Sequence, residues 1–117
     1  MSKRGESSTN AHRIECCPSE TRRIEPLGGI SRDGKLLELY RDKWTIQRLD
    51  QTTCLPKYLN RRCRLVDATI KPWSRCVQKY SYVYAFVKDF NVTQHYRLDY
   101  VKVRSGCACE VDFNMHN

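Results

Sequence analysis

Apolar and polar positions alternate most clearly late in the chain. From Val77 to Val87 the residues run Val-Gln-Lys-Tyr-Ser-Tyr-Val-Tyr-Ala-Phe-Val, so an extended strand carries Tyr80, Tyr82, Tyr84 and Phe86 on one face. Val77, Val83, Ala85 and Val87 fall on the other face. A second β-rich run, Tyr96 to Val103, returns after the polar connection Lys88 to His95, and the two runs predict a hairpin. Earlier in the chain, Asp33-Gly34 marks a tight turn, followed by apolar residues from Leu36 to Tyr40 that suit a strand. Trp44 to Leu49 is rich in residues that favour extended structure, and it is expected to continue a first ribbon towards Cys54. Pro18, Pro26 and Gly28-Gly29 punctuate an irregular stretch, Cys54 to Cys63 reads as a loop, and Pro72-Trp73 belongs to another irregular stretch before Cys76. No long segment has a helical period. The pattern predicts a small all-β protein of two extended ribbons tied at one place by cysteines, preceded by a polar, disordered leader over residues 1–15. The ordered domain is expected over 16–112, with a short tail at 113–117.

Composition sharpens this picture. With 117 residues, the chain is one small domain, and a domain of this size buries only about two-thirds of its unfolded surface. Ribbons of this kind leave little core, so cross-links are the obvious remedy. There are seven cysteines: Cys16, Cys17, Cys54, Cys63, Cys76, Cys107 and Cys109. No Cys-x-x-Cys pair occurs, and His12, His95 and His116 are scattered, whereas tetrahedral zinc modules present close ligand pairs. Disulfides are therefore the favoured reading, and a zinc-dependent basic nucleic-acid module is the alternative of another class. No apolar run is long enough to cross a bilayer as a helix. The first residues, Met-Ser-Lys-Arg-Gly, contain no apolar targeting region, so a secreted form is expected to be a mature fragment without its targeting segment.

Lysine and arginine outnumber the acids 21 to 13, a net charge of +8 that implies an anionic partner: nucleic acid, a heparan-type polysaccharide or an acidic protein surface. The basic residues are dispersed and many lie near cysteines, which fits an extracellular ligand better than a nucleic-acid-binding arm. No nucleophile motif or phosphate-binding glycine loop is present, so catalysis and cofactors are not expected. Asn91-Val92-Thr93 is an N-glycosylation sequon at the expected hairpin tip. Two-sided apolar strands over a thin core predict an exposed aromatic patch, and Trp73, Tyr80, Tyr82, Tyr84, Phe86, Tyr96 and Tyr100 form the pool for a dimer interface.

Six cysteines permit fifteen pairings, and spacing alone does not choose among them. The order of Cys17, Cys54, Cys63, Cys76 and the terminal Cys107-Ala108-Cys109 resembles the cystine knot of neurotrophins and of the Spätzle family. Cys63-Arg64-Leu65-Val66-Asp67, followed by Trp73, Ser74 and Cys76, is similar to a neurotrophin segment. Ser74-Arg75-Cys76-Val77-Gln78-Lys79-Tyr80, Leu98-Asp99-Tyr100-Val101-Lys102-Val103, and the spacing of Cys17 and Pro26 look more like Spätzle members. The resemblance covers about residues 16 to 112. It implies a neurotrophin-like cystine-knot cytokine fold with the pairs Cys17–Cys76, Cys54–Cys107 and Cys63–Cys109, and a secreted homodimer that binds Toll-type leucine-rich-repeat receptors. The odd cysteine, Cys16, is the candidate for an interchain bond. Family members often carry an extra cysteine just before the terminal pair, where this chain has Gly106, and exchanged roles for Cys16 and Cys17 stay open. Where neurotrophins use an arginine against a receptor tyrosine kinase, this chain has Lys102, which lacks the planar fork, so the kinase-receptor reading is the weaker alternative. Lys57, Arg61, Arg62 and Lys102 are the candidate receptor contacts.

Overall fold

The computed structural model describes residues 15–66 and 73–112. Most of the expected leader, the segment 67–72 and the tail 113–117 lie outside the described residues. Six strands form one sheet: β1 (Ser19–Ile24), β2 (Gly28–Ile30), β3 (Leu36–Leu39), β4 (Leu49–Cys54), β5 (Trp73–Asp89) and β6 (Arg97–Asp112). Their spatial order is β1-β4-β6-β5-β3-β2, with every neighbouring pair antiparallel except β4 and β6, which meet in parallel at Thr52 and Ser105. The described residues include no helix long and apolar enough to cross a membrane.

The β5–β6 hairpin is the spine of the molecule, and it extends the expected ribbon at both ends. Trp73 through Cys76 are strand, not irregular chain, because they pair with residues 109 to 112 of β6. A β-bulge between Lys79 and Tyr80 leaves Ser105 as the extra residue on β6, at the point where β4 touches it. The radius of gyration is 18.4 Å and the shortest dimension 19 Å, against about 13 Å for the radius of a compact chain of this length. The molecule is thus a flat, elongated ribbon.

One strand buries different faces along its length. Near the start of β5 the even positions Ser74 and Cys76 are buried, whereas near its end the odd positions Ala85 and Val87 are buried. Between them, Lys79 to Tyr82 are exposed on both faces. The hydrophobic cluster of Leu37, Leu39, Ala85, Val87 and Val101, with Leu49 packed against it, covers the odd face at the hairpin end. A cysteine cluster covers the even face at the other end.

The expected first ribbon is not one ribbon. β3 pairs with β5 and β2, whereas β4 pairs with β1 and β6, so the two strands of that expected unit lie on opposite sides of the hairpin. The turn at Asp33-Gly34 does form, with Gly34 at φ 86° and its amide donating to the Ser31 carbonyl at 3.0 Å. It joins β2 to β3, inside a stretch whose earlier part reads as irregular. Trp44 to Leu49 is a correction: strand begins only at Leu49, and Trp44 to Arg48 is loop. Asp42 captures the chain there, because its Oδ1 accepts from the amides of Trp44 at 2.8 Å and Thr45 at 2.7 Å, and the Tyr40 hydroxyl donates to Oδ2. This local side-chain-to-backbone turn overrides the strand preference of Trp44, Thr45 and Ile46.

Glutamine side chains complete the sheet where strands end. Gln47 acts as a short surrogate strand beside β5: its Oε1 accepts from the Phe86 amide at 2.8 Å and its Nε2 donates to the Phe86 carbonyl at 2.9 Å. Gln51 Oε1 accepts from the Arg104 amide at 3.0 Å beside the bulge. Each satisfies backbone groups that the ladder leaves open.

Two outcomes follow for the hairpin end and its flanking loop. A Cβ at Gly29 would meet Val101 Cγ1 at 2.7 Å inside the core, so Gly29→Ala is expected to cost about 1–3 kcal/mol, measured as a lower guanidinium midpoint with the disulfides intact. The Asp42 carboxyl is held below its ordinary value of 3.8, first by the Tyr40 hydroxyl and then by the Trp44 amide. A folded-state value below the unfolded one stabilises above the unfolded value and is lost as pH falls through the folded one. Trp44 fluorescence is therefore expected to change on acidification below about pH 4, and a signal that stays flat down to pH 2 would contradict that role for Asp42.

Candidate functional site

Three disulfides gather at one end of the β5–β6 hairpin: Cys17–Cys76, Cys54–Cys107 and Cys63–Cys109, with Cα separations of 5.6, 4.9 and 5.9 Å. These are the pairs that the family resemblance implies. Cys17 is the knot member, and Cys16 is the free cysteine, half-buried against the cluster. Two of the bridges, with the backbone from 54 to 63 and from 107 to 109, close a covalent ring. Cys76 sits between its arms. On one side it faces Cys109 in the β5–β6 ladder, and on the other its amide donates to the Arg61 carbonyl and its carbonyl accepts from the Asn60 amide, both at 2.8 Å.

Cys17 approaches the same ring from β1. The neighbouring carbonyls of Cys16 and Pro18 accept from the amides of Arg64 at 3.0 Å and Leu55 at 3.1 Å, which bracket the longer arm of the ring. The sulfurs of Cys17, Cys63 and Cys76 lie within 4.8 Å of one another. All three are bonded as disulfides, so this cluster holds no thiolate to bind zinc. Its order comes from sulfur–sulfur bonding, and the fold is a cystine knot.

Gln78 ties the knot into the sheet. Its Oε1 accepts from the Cys54 amide at 2.9 Å, and its Nε2 donates to the carbonyls of Thr52 and Gly106, each at 2.9 Å. One side chain on β5 thereby bridges β4 and the β6 bulge, where the parallel contact makes only one ladder step. Sequence reading passes over Gln78 because its partners lie far away along the chain; a lone glutamine inside an otherwise aromatic alternation was the available signal.

Beyond the knot, the hairpin presents an aromatic face. Tyr80, Tyr82, Tyr84 and Phe86 stand opposite Arg104, Lys102, Tyr100 and Leu98 across the ladder, so all eight share one side. Tyr84 is 63% exposed and Leu98 68%, and Tyr84 stacks on Tyr100 with ring centroids 4.3 Å apart. The expected interface pool divides on this face. Tyr80, Tyr82, Tyr84 and Phe86 are exposed, as is Trp73 at the knot end, while Tyr100 is half-buried under the Arg32 guanidinium at 4.5 Å. Tyr96 packs within the chain, edge-on to Tyr40 at 5.0 Å and with its hydroxyl on Glu38 at 3.2 Å.

The expected receptor contacts also divide. Lys102 lies on the aromatic face with its ammonium 4.3 Å over the Tyr80 ring. Lys57, Arg61 and Arg62 are exposed on the loop that forms the ring's longer arm. Asn91 is exposed at the hairpin tip with φ 61°, next to exposed Val92 and Thr93.

Removing the staple tests this account of the knot's setting. Gln78→Ala leaves the Cys54 amide and the Gly106 carbonyl without their partner, and it is expected to cost about 1–3 kcal/mol in denaturant unfolding with all bridges formed. An unchanged midpoint would mean that the bridges alone hold β4 on the hairpin.

None of the curated proteins compared with this chain matches it. A family model described as Spaetzle matches residues 14–111, from just before the doublet Cys16-Cys17 to just past the terminal cysteine pair. The matched span contains all three bridges, both arms of the ring and the whole aromatic face, and on that match the chain belongs to the Spätzle family of cystine-knot cytokines.

Proposed function

We propose that this protein is a secreted, dimeric cytokine that brings two Toll-type leucine-rich-repeat receptors together. The observation that carries the reading is the aromatic face of the β5–β6 hairpin. Tyr80, Tyr82, Tyr84, Phe86 and Leu98 are ordered and exposed on one side of a ribbon only 19 Å thick. A contiguous apolar patch on so thin a body has no internal partner among the described residues to cover it. A second copy, apposed face to face, buries it on both sides at once.

The unit that acts is assigned to residues 16–112, with 1–15 as leader and 113–117 as tail. Cys16, the one cysteine outside the three bridges, is the candidate for the covalent link between copies. Secretion suits three structural disulfides, which persist in oxidising compartments. Asn91, at the hairpin tip and away from the aromatic face's centre, is assigned as a glycan site. Lys102 is assigned to receptor contact. Its single ammonium suits a point charge on the partner and not the two-pronged geometry of a kinase-receptor arginine contact. No catalytic role is assigned.

Native mass spectrometry of the oxidised protein, with binding to purified receptor ectodomains, tests the reading. The expected species is a dimer that captures a Toll-type ectodomain, that dissociates to monomer when Tyr84→Glu places a charge in the face, and that loses its covalent link in Cys16→Ser. A monomeric wild-type protein, or binding confined to a receptor tyrosine kinase ectodomain, would overturn it.

A further inference from the structure

The loop that closes the knot carries a charge pattern that dimerisation leaves unused. From Gln51 to Val66 the chain has four basic residues, Lys57, Arg61, Arg62 and Arg64, and no acidic one. All four are exposed, and none forms an ion pair among the described residues. Arg22, Arg23, Arg41, Arg48, Lys79, Lys88 and Arg97 each have an acidic partner, whereas Arg32, Lys35, Lys43, Arg75, Lys102 and Arg104 stand unpaired among the described residues but spread along the chain, so the loop is distinguished by its density of unpaired charge.

The knot forces these charges together. Lys57 and Arg64 flank the same aromatic ring, each with its charge 5.7 Å from the Tyr58 centroid. The two charges are therefore at most twice that distance apart, comparable with the screening length of about 8 Å at physiological salt, so they present one locally positive surface. Arg61 is fixed by its carbonyl's bond to the Cys76 amide. In a flexible loop such charges would spread apart. Here Lys57, Arg61 and Arg62 lie on an arm of a covalent ring held at Cys54 and Cys63, and Arg64 follows directly with its amide bound to the Cys16 carbonyl, so the backbone keeps the four positions close together. A pre-formed group of cations without an acidic partner among the described residues favours a polyanion, and binding it costs little backbone ordering.

The site is also separate from the aromatic face. Arg61 sits beside Cys76 and Lys102 opposite Tyr82, six residues further along β5, or about 20 Å at the rise of a strand. The cationic loop and Lys102 are therefore different surfaces, and one ligand need not use both. The patch is turn-rich and holds four bases within eight residues with no acid among them, which favours a polyanionic ligand. We infer that Lys57, Arg61, Arg62 and Arg64 form a binding site for a sulfated glycosaminoglycan that holds the cytokine at cell surfaces or matrix. The physiological side of this inference rests on the secreted, ligand reading above; the binding itself does not.

Heparin is the probe. The oxidised wild-type protein is expected to bind heparin at physiological salt and to elute from immobilised heparin well above it. Lys57→Gln, Arg61→Gln, Arg62→Gln and Arg64→Gln combined should lower the eluting salt sharply and reduce the slope of log K against log salt by about three to four, roughly 0.9 per charge removed. The control is the combination Arg22→Gln, Arg23→Gln, Arg41→Gln and Arg48→Gln, which removes the same charge from ion-paired positions. It should shift elution far less. Intact mass under non-reducing conditions verifies the three bridges in both variants. Equal shifts in the two variants would overturn the site in favour of net charge alone, and so would undiminished binding to desulfated heparin. Loss of receptor capture in the loop variant with heparin binding unchanged would overturn it in favour of an acidic protein surface. Failure of the wild-type protein to capture any Toll-type ectodomain, with loop-dependent heparin binding intact, would strike the ligand reading and leave this site standing.

Discussion

A covalent ring with a strand anchored inside it governs this molecule. The bridges Cys54–Cys107 and Cys63–Cys109 close the ring, and the Cys17–Cys76 bridge ties β1 to a β5 residue held between its two arms. The sequence separations across these bridges are 59, 53 and 46, so each removes about 4 kcal/mol of unfolded-state freedom in the chain-entropy model. The hydrophobic alternative is small. One cluster of five buried apolar side chains sits at the far end of the hairpin, and most of the aromatic surface faces outward. A plain core of that size gives a domain little margin. The knot makes exposure of the aromatic face affordable.

The change of buried face along β5 follows from the same constraint. At the knot the even side of the strand is covered by sulfur and by the 55–64 loop, while at the hairpin end the odd side is covered by Leu37 and Leu39 of β3. A twisted ribbon covered on opposite sides at its two ends leaves its middle bare, and Lys79 to Tyr82 are that middle. Two chemically distinct surfaces result: an aromatic one along the hairpin and a cationic one around the ring.

Period-two reading located the hairpin from Val77 to Val103 and assigned its aromatic and aliphatic faces correctly, because both strands are long and every side chain there answers to its own strand. The same reading missed Trp73 to Cys76 as strand, since the knot and not an apolar neighbour supplies burial at Ser74 and Cys76. β1 is invisible to that reading: Ser-Glu-Thr-Arg-Arg-Ile has no apolar alternation, and it is an exposed edge strand. Trp44 to Arg48 misled because residue preference was weighed without the Asp42 turn. The disulfide pairs came from family resemblance, not spacing. Gln47, Gln51 and Gln78 bond to backbone 24 to 53 residues away in sequence, and no local pattern announces such contacts. The exposed aromatics of the hairpin were legible as a group, but Tyr96 packs inward because Tyr40 and Glu38 offer it partners.

Amide hydrogen exchange of the protein before and after reduction of its disulfides, in native buffer, tests most directly whether the knot takes the place of a core. Protection across β5 and β6 should be strong in the oxidised protein and lost throughout once the bridges are opened. A reduced chain that kept protected amides from Ser74 to Val87 and from Leu98 to Cys109 would show that the sheet stands without its knot, and would contradict the account.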